Sequence, residues 1–304
     1  MAPWIWITTA TASWARGARG QGFSGDGHYY RLAYHLRLAW NPLGGVMFSD
    51  SRYTASQEMK VLDAGGSMRT SSVFLIQPLI ERDTWRLAAR IQYDEKRLDD
   101  QVGLLLMQSA KRSRVSTYQL SGSSGATHML LGVSQGRLDI NGSLFTLSGT
   151  SERGDFRVAR AALERLQPLS QRLALHGRVQ GQWSRDNLDE SEKMYLGGAL
   201  GVRAYPQGEA AGDRGWQGSL ELRYDLTEAW QLAGFADYGR ARLNTPLIWS
   251  ADTVRSLAGA GLGARWAAGS WHFSAVAAWR LGDAEPQSDE DRTPRVWTQL
   301  VRYF

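Results

Sequence analysis

The chain has 304 residues, including 33 Gly, 13 Trp and 11 Tyr but no Cys, and 35 basic residues against 30 acidic give a formal charge of +5. Without cysteine there is no disulfide, zinc–thiolate site or thiol nucleophile, and the basic residues are scattered rather than gathered into a stripe, which argues against a nucleic-acid partner. Mean hydropathy is −0.37, and no apolar run reaches the ~18 residues of a membrane-spanning helix, which excludes a helical membrane protein. No step in composition marks a linker, so one continuous architecture is expected. Trp4, Ile5, Trp6 and Ile7 run into threonines with no basic segment before them, so residues 1–20 lack the pattern of a signal peptide.

Along the chain the recurring signal is strict alternation. Successive strand side chains point to opposite faces, and a membrane barrel needs an apolar outside and a polar inside. From Arg31 to Trp40, Leu32, Tyr34, Leu36, Leu38 and Trp40 share one face, with Arg31, His35 and Arg37 on the other. Trp85, Leu87, Ala89, Ile91 and Tyr93 then oppose Arg86, Arg90, Gln92 and Asp94, with aromatics bracketing the apolar band. Leu173, Leu175, Val179 and Trp183 oppose His176, Arg178, Gln180 and Gln182, and Leu220, Leu222, Tyr224 and Leu226 oppose Glu221, Arg223 and Asp225. Trp271, Phe273, Ala275, Ala277, Trp279 and Leu281 form a last long apolar face. A soluble sandwich also alternates, but its strands run to about five or six residues, whereas these approach the ~10 of a tilted bilayer crossing.

The expected fold is therefore all-β, a transmembrane antiparallel β-barrel of the outer-membrane type. About 14 strands are legible, at 2–16, 27–40, 44–57, 69–80, 83–95, 112–122, 124–135, 155–169, 172–185, 217–228, 230–241, 254–267, 271–281 and 295–304. Asn41 to Gly44, Glu81 to Asp83 and Ala268 to Ser270 read as short turns. Lys96 to Ala110, Gln135 to Gly154, Asp186 to Gly215 and Gly282 to Pro294 read as longer external loops.

The least strand-like stretch runs from Tyr195 to Trp216, with Leu196-Gly197-Gly198 leading into Val202-Arg203-Ala204-Tyr205-Pro206. It resembles the long sixth loop of the ShlB/FhaC/HecB hemolysin secretion and activation family, the TpsB transporters of two-partner secretion within the Omp85 superfamily. Asn187 to Lys193 and Arg165-Leu166-Gln167-Pro168-Leu169 resemble the same family. Phe235-Ala236-Asp237-Tyr238-Gly239 is similar to its Phe-x-Asp-x-Gly strand motif. The resemblance implies that residues 1–304 are the barrel, that 186–216 is a loop folded into the lumen, and that Arg203 pairs with Asp237. Alternation places Asp237 with Gln231 and opposite Trp230, Leu232 and Tyr238, hence inward. Ala204 stands where several superfamily members carry Gly. Phe304 resembles the terminal aromatic that the barrel assembly machinery reads, with Arg302 snorkelling on the same side.

The resemblance further implies a 16-stranded barrel in the bacterial outer membrane, preceded by a signal peptide and periplasmic POTRA modules that this sequence does not display. A truncated gene product or a fragment is one expectation. The function implied is secretion and activation of a TpsA-like exoprotein, such as a hemolysin or adhesin, with outer-membrane lipid and the assembly machinery as further partners. A barrel insertase and a simple diffusion porin are the alternatives. Neither catalytic residues, cofactor nor metal is expected: Gly197-Gly198 and Gly261-Leu262-Gly263 lack the Lys and Ser/Thr of a phosphate loop. Asp186 with Asp189, and Asp289, Glu290 and Asp291, lack the alternating spacing of a calcium loop and read as solvated loop charges.

Overall fold

A computed structural model describes residues 8–16, 27–39, 41–54, 64–102, 107–142, 154–243 and 254–303. Nine strands come first: β1 (Thr8–Arg16), β2 (Gly27–Arg37), β3 (Leu43–Thr54), β4 (Ala64–Glu81), β5 (Trp85–Val102), β6 (Met107–Ser124), β7 (Thr127–Gly142), β8 (Gly154–Pro168) and β9 (Leu173–Ser184). Two short strands follow, β10 (Met194–Tyr195) and β11 (Ala211–Gly212), and then β12 (Arg214–Asp225), β13 (Trp230–Arg242), β14 (Val254–Ala268), β15 (Trp271–Arg280) and β16 (Arg295–Arg302). All but β10 and β11 form one 14-stranded sheet in chain order, each strand antiparallel to the next. β9 pairs directly with β12, so residues 185–213 leave the sheet and return to it.

The sheet has an apolar outer face with a definite height. On β5 the outward set runs from Trp85 to Tyr93, on β12 from Trp216 to Tyr224, on β13 from Trp230 to Tyr238 and on β15 from Trp271 to Trp279, with every one of these aromatics exposed. Each pair brackets nine residues counting both ends, close to the roughly 9–11 of a tilted strand crossing a bilayer. Aromatic contacts mark the two rims, Trp216 with Tyr238 at 5.4 Å and Trp230 with Trp266 at 6.5 Å between ring centroids. Such rings, part apolar and part polar, settle at the headgroup level.

Strands β4 to β7 extend well past that belt, β4, β5 and β6 reaching 18 residues each. The expected loop Lys96–Ala110 is thus strand wherever it is described, and Gln135–Gly154 continues as strand to Gly142. Their polar composition does not interrupt pairing, because outward charges meet across strands, Arg112 with Glu95 at 3.0 Å and Arg114 with Asp139 at 2.8 Å, while Arg97 reaches Glu95 along its own strand at 3.0 Å. Opposite charges on neighbouring strands support a ladder, and in water above the membrane they carry no desolvation cost.

The sheet is strongly curved. Lys96 on β5 and Trp297 on β16 both bond the 185–213 segment, to Glu192 and to the Arg203 carbonyl. Nine strand steps separate β5 from β16, which in a flat sheet at ~4.8 Å per step is roughly 43 Å. The twelve residues from Glu192 to Arg203 are folded back by the Gly197–Val202 bridge, so the wall bends around the loop. The architecture is an outer-membrane β-barrel. Buried apolar side chains lie on the inner face, where loop meets wall: Leu196, Val202, Ala204 and Tyr205 with Phe235, Ala241, Leu257 and Ala278. A second cluster joins Leu188 to Val115, Leu138, Phe156 and Val158. Phe304 lies outside the described residues.

Candidate functional site

The loop is built to present one arginine. β10 pairs with β11 to close its base, and Val202 N–H donates to the Leu196 carbonyl at 2.7 Å while Tyr205 N–H donates to the Val202 carbonyl at 3.1 Å. This tight turn leaves the Arg203 side chain projecting at the wall. Gly198 at φ 115° makes the reversal possible, since a side chain there meets Gln207 as well as backbone strain. Gly197 and Pro206 are buried in the same fold. Ala204 is absent from the positive-φ residues, so no glycine-only angle is needed; its methyl instead sits against Gly259 of β14, where a Cβ would be 2.6 Å away. Residues 214–216, grouped with the loop on sequence, belong to β12.

The receiving surface comes from register. Ser219 on β12 stands opposite Asp237 on β13, and Glu221 opposite Phe235. Arg203 donates from Nε to Asp237 Oδ2 at 2.9 Å and from one terminal nitrogen to Oδ1 at 2.8 Å, a two-point fork, and its backbone N–H adds a bond to Oδ2 at 3.1 Å. The other terminal nitrogen donates to Glu221 at 2.8 Å, and the one facing Asp237 also donates to Ser219 Oγ at 2.9 Å. The guanidinium lies over the Phe235 ring, 3.3 Å from its centroid. Burial works against the charge on Arg203, yet the two carboxylates outweigh it and hold its proton more tightly than usual. A lysine has neither the planar fork nor the stacking face to replace these contacts. Gly239, two residues beyond Asp237, lies under Leu196.

Glu221 is a hub as well as a partner: Arg223 and Arg265 bond its other oxygen at 2.7 and 2.6 Å. Arg203 is held from β16 too, through Trp297 Nε1 donating to its carbonyl at 2.8 Å. Farther along, the segment between β15 and β16 closes over the loop. Glu209 Oε2 accepts from the backbone N–H groups of Gln287 and Ser288 at 2.9 Å each and from Ser288 Oγ at 2.8 Å. Arg255 pairs with the other Glu209 oxygen at 2.9 Å, and the Tyr205 hydroxyl donates to the Ala284 carbonyl at 2.8 Å.

The loop's other end makes a second ionic contact of opposite polarity. Asp189 pairs with Lys111 of β6 at 2.8 Å, and Glu192 with Lys96 of β5 and with Arg160 of β8 at 3.2 Å. Asp189, read on sequence as a solvated charge, is buried at 4% exposure. Burial raises its carboxyl, but the Lys111 ammonium and bonds from Lys111 and Ser191 hold it below the usual carboxylate range. Asp289 and Asp291 likewise face Arg295 and Arg280. Among the described residues no group of carboxylates and imidazoles has metal-site geometry.

The model of the haemolysin secretion/activation protein ShlB/FhaC/HecB family matches residues 69–266, the loop and both motif strands included. The chain belongs to this family. It is 25% identical over 190 residues to the heme/hemopexin transporter protein HuxB of Haemophilus influenzae, covering 60% of this chain and 34% of that protein. With HuxB of strain 86-028NP the match is 23% over 276 residues, 86% of this chain and 48% of that one. The ShlB/FhaC/HecB chain therefore spans about half, or less, of the length of these relatives. CdiB from Escherichia coli superposes with a TM-score of 0.70 at 18% identity, over 90% of this chain and 52% of that one. BamA from Haemophilus ducreyi gives 0.64 at 12%, over 91% and 62%. At these identities the likeness is one of fold, and it is to outer-membrane barrels.

For this ShlB/FhaC/HecB barrel, Arg203 and Asp237 stand together, with Val202, Ala204, Tyr205 and Phe235 packed around them. Sequence reasoning did not single out Glu221, Ser219, Trp297, Glu209 or the Asp189–Glu192 contacts. Alternation puts Glu221 on the inner face; its proximity to Asp237 depends on the β12–β13 register, which no local pattern reveals.

Proposed function

We propose that this barrel is the translocation pore of a two-partner secretion system, passing and activating a TpsA-like exoprotein such as a hemolysin or adhesin. In this reading the 185–213 loop is a plug held in the lumen by Arg203, and export requires its release. The observation that carries the reading is the Arg203 fork on Asp237, reinforced by Glu221 and buried beneath the loop, in a chain of the secretion/activation family. A diffusion porin keeps its channel open and has no use for a plug fastened at both ends. Gly197 and Gly198 shape the plug, and Gly239 admits Leu196. No cofactor is needed, since the loop's charges exchange partners without chemistry.

The test is secretion of the partner exoprotein from cells carrying a deletion complemented by each variant. Arg203→Asp and Asp237→Arg each abolish or deregulate release, and the exchanged pair recovers part of it; recovery stays partial because Asp at 203 faces Glu221. Full secretion by both single variants contradicts the reading.

A further inference from the structure

Lys96, Lys111 and Arg160 point into the barrel from β5, β6 and β8, and each forms an ion pair with a carboxylate of the loop. Lys96 and Lys111 are largely buried, with side chains 17% and 12% exposed. Asp94, the wall carboxylate two residues from Lys96, accepts a hydrogen bond from Gln92 at 2.7 Å. The pairing registers place Arg and Lys on the inner face of the sheet about twice as often as Asp and Glu. The loop reverses that balance, its Asp186, Asp189, Glu190, Glu192, Glu209 and Asp213 outnumbering Arg185, Lys193 and Arg203.

We infer that Lys96, Lys111 and Arg160 form a binding site for an acidic stretch of extended polypeptide, and that Asp189 and Glu192 occupy it in the resting barrel as stand-ins for the exported chain. The inference rests on the reading of the barrel as a polypeptide pore. Two carboxylates three residues apart satisfy three cations spread over neighbouring strands, so a passing segment with Asp or Glu at similar spacing presents the same chemistry. Withdrawing the loop takes the paired carboxylates away from these cations inside a partly desolvated wall, leaving Arg160 only the neutral Gln182 and Ser134 of the wall, and a buried charge that loses its counter-charge is strongly unfavourable. An acidic segment restores what the loop removed, so entry of client and departure of loop favour one another. The Gln182 amide, which donates to the Glu192 carbonyl at 2.9 Å, is left to receive a backbone carbonyl of the incoming chain.

Recording the full chain in planar bilayers, with Asp237→Ala to loosen the loop, tests this. Twenty-residue peptides rich in Glu, Gln or Lys are added on one side and current block is measured. The Glu peptide should block at a concentration at least tenfold below the Gln peptide, and Lys96→Gln with Lys111→Gln and Arg160→Gln should erase the difference. Block by the Glu peptide should also weaken as salt rises from 0.1 to 1 M, where the screening length falls from about 10 to 3 Å, a readout that stands if the triple variant fails to assemble. Equal block by Glu and Gln peptides, or a Glu preference insensitive to salt, overturns the inference while leaving the polypeptide pore intact. Ion current with no block by any peptide overturns the pore reading, and the inference with it.

Discussion

Asp237 and Glu221 both bond Arg203, but they are not equivalent partners. Asp237 takes a two-point fork and a backbone bond from Arg203, while Glu221 is shared among three arginines. Removing one member of a buried pair costs ~3–5 kcal/mol. Asp237→Ala should therefore shift the loop equilibrium toward release by about two orders of magnitude or more, while Ser219→Ala should change it less than tenfold. Arg203→Lys should behave nearly as badly as Arg203→Ala, because an ammonium cannot reach both oxygens and the Phe235 face. Protease cleavage within 185–213 on the folded barrel measures each. At the far contact the sign follows from a lowered pKa. The stabilisation from Asp189 is complete above its unfolded value of about 3.9 and is lost as pH falls through its lower folded value. Docking of the loop on β6 should be unchanged from pH 7 to about 4 and weaken below that, read as cleavage or channel opening against pH.

At the scale of elements, the strands were legible because alternation is a local consequence of backbone geometry. Trp85 to Tyr93 announces a crossing without reference to any other strand. Leu220 lies midway between Trp216 and Tyr224 on the exposed face of β12, so Leu220→Arg should destabilise the barrel by about 2–4 kcal/mol, the cost of an arginine at the bilayer midplane. Heat-modified electrophoretic mobility of the folded barrel reads that loss. What was illegible depends on contacts distant in sequence. Lys96 and Lys111 fall at the ends of a polar stretch that looks like loop, and only the cross-strand pairing of Leu98–Val102 with Met107–Lys111 reveals its two sides as strand. Glu209 offers no motif, yet it joins two segments through four bonds. Glu209→Gln should expose residues 281–294 to protease while leaving the sheet intact; protection equal to the parent chain speaks against that joint. The Arg203 and Asp237 motifs were legible through resemblance, not through physics visible in either segment alone.

Over the whole molecule, the barrel and its loop have complementary designs. The outside is set by a nine-residue apolar belt, and the inside by charges that the loop neutralises at two separated places. One place sets a cationic loop residue on acidic wall residues, the other acidic loop residues on a cationic wall. Sliding the loop along the wall brings like charges together at both, so the docked position is singled out. Tight contact of Ala204 with Gly259 adds a steric register, and Gly259→Val should unseat the loop without touching an ion pair. The central claim is that a loop held by Arg203 closes this pore, and single-channel recording of the full chain tests it most directly. The account predicts a mostly closed parent, long high-conductance openings in Arg203→Ala and in Asp237→Ala, and a double variant no more open than the worse single, as coupled partners require. A parent chain as open as either variant, or effects that simply add, contradicts it.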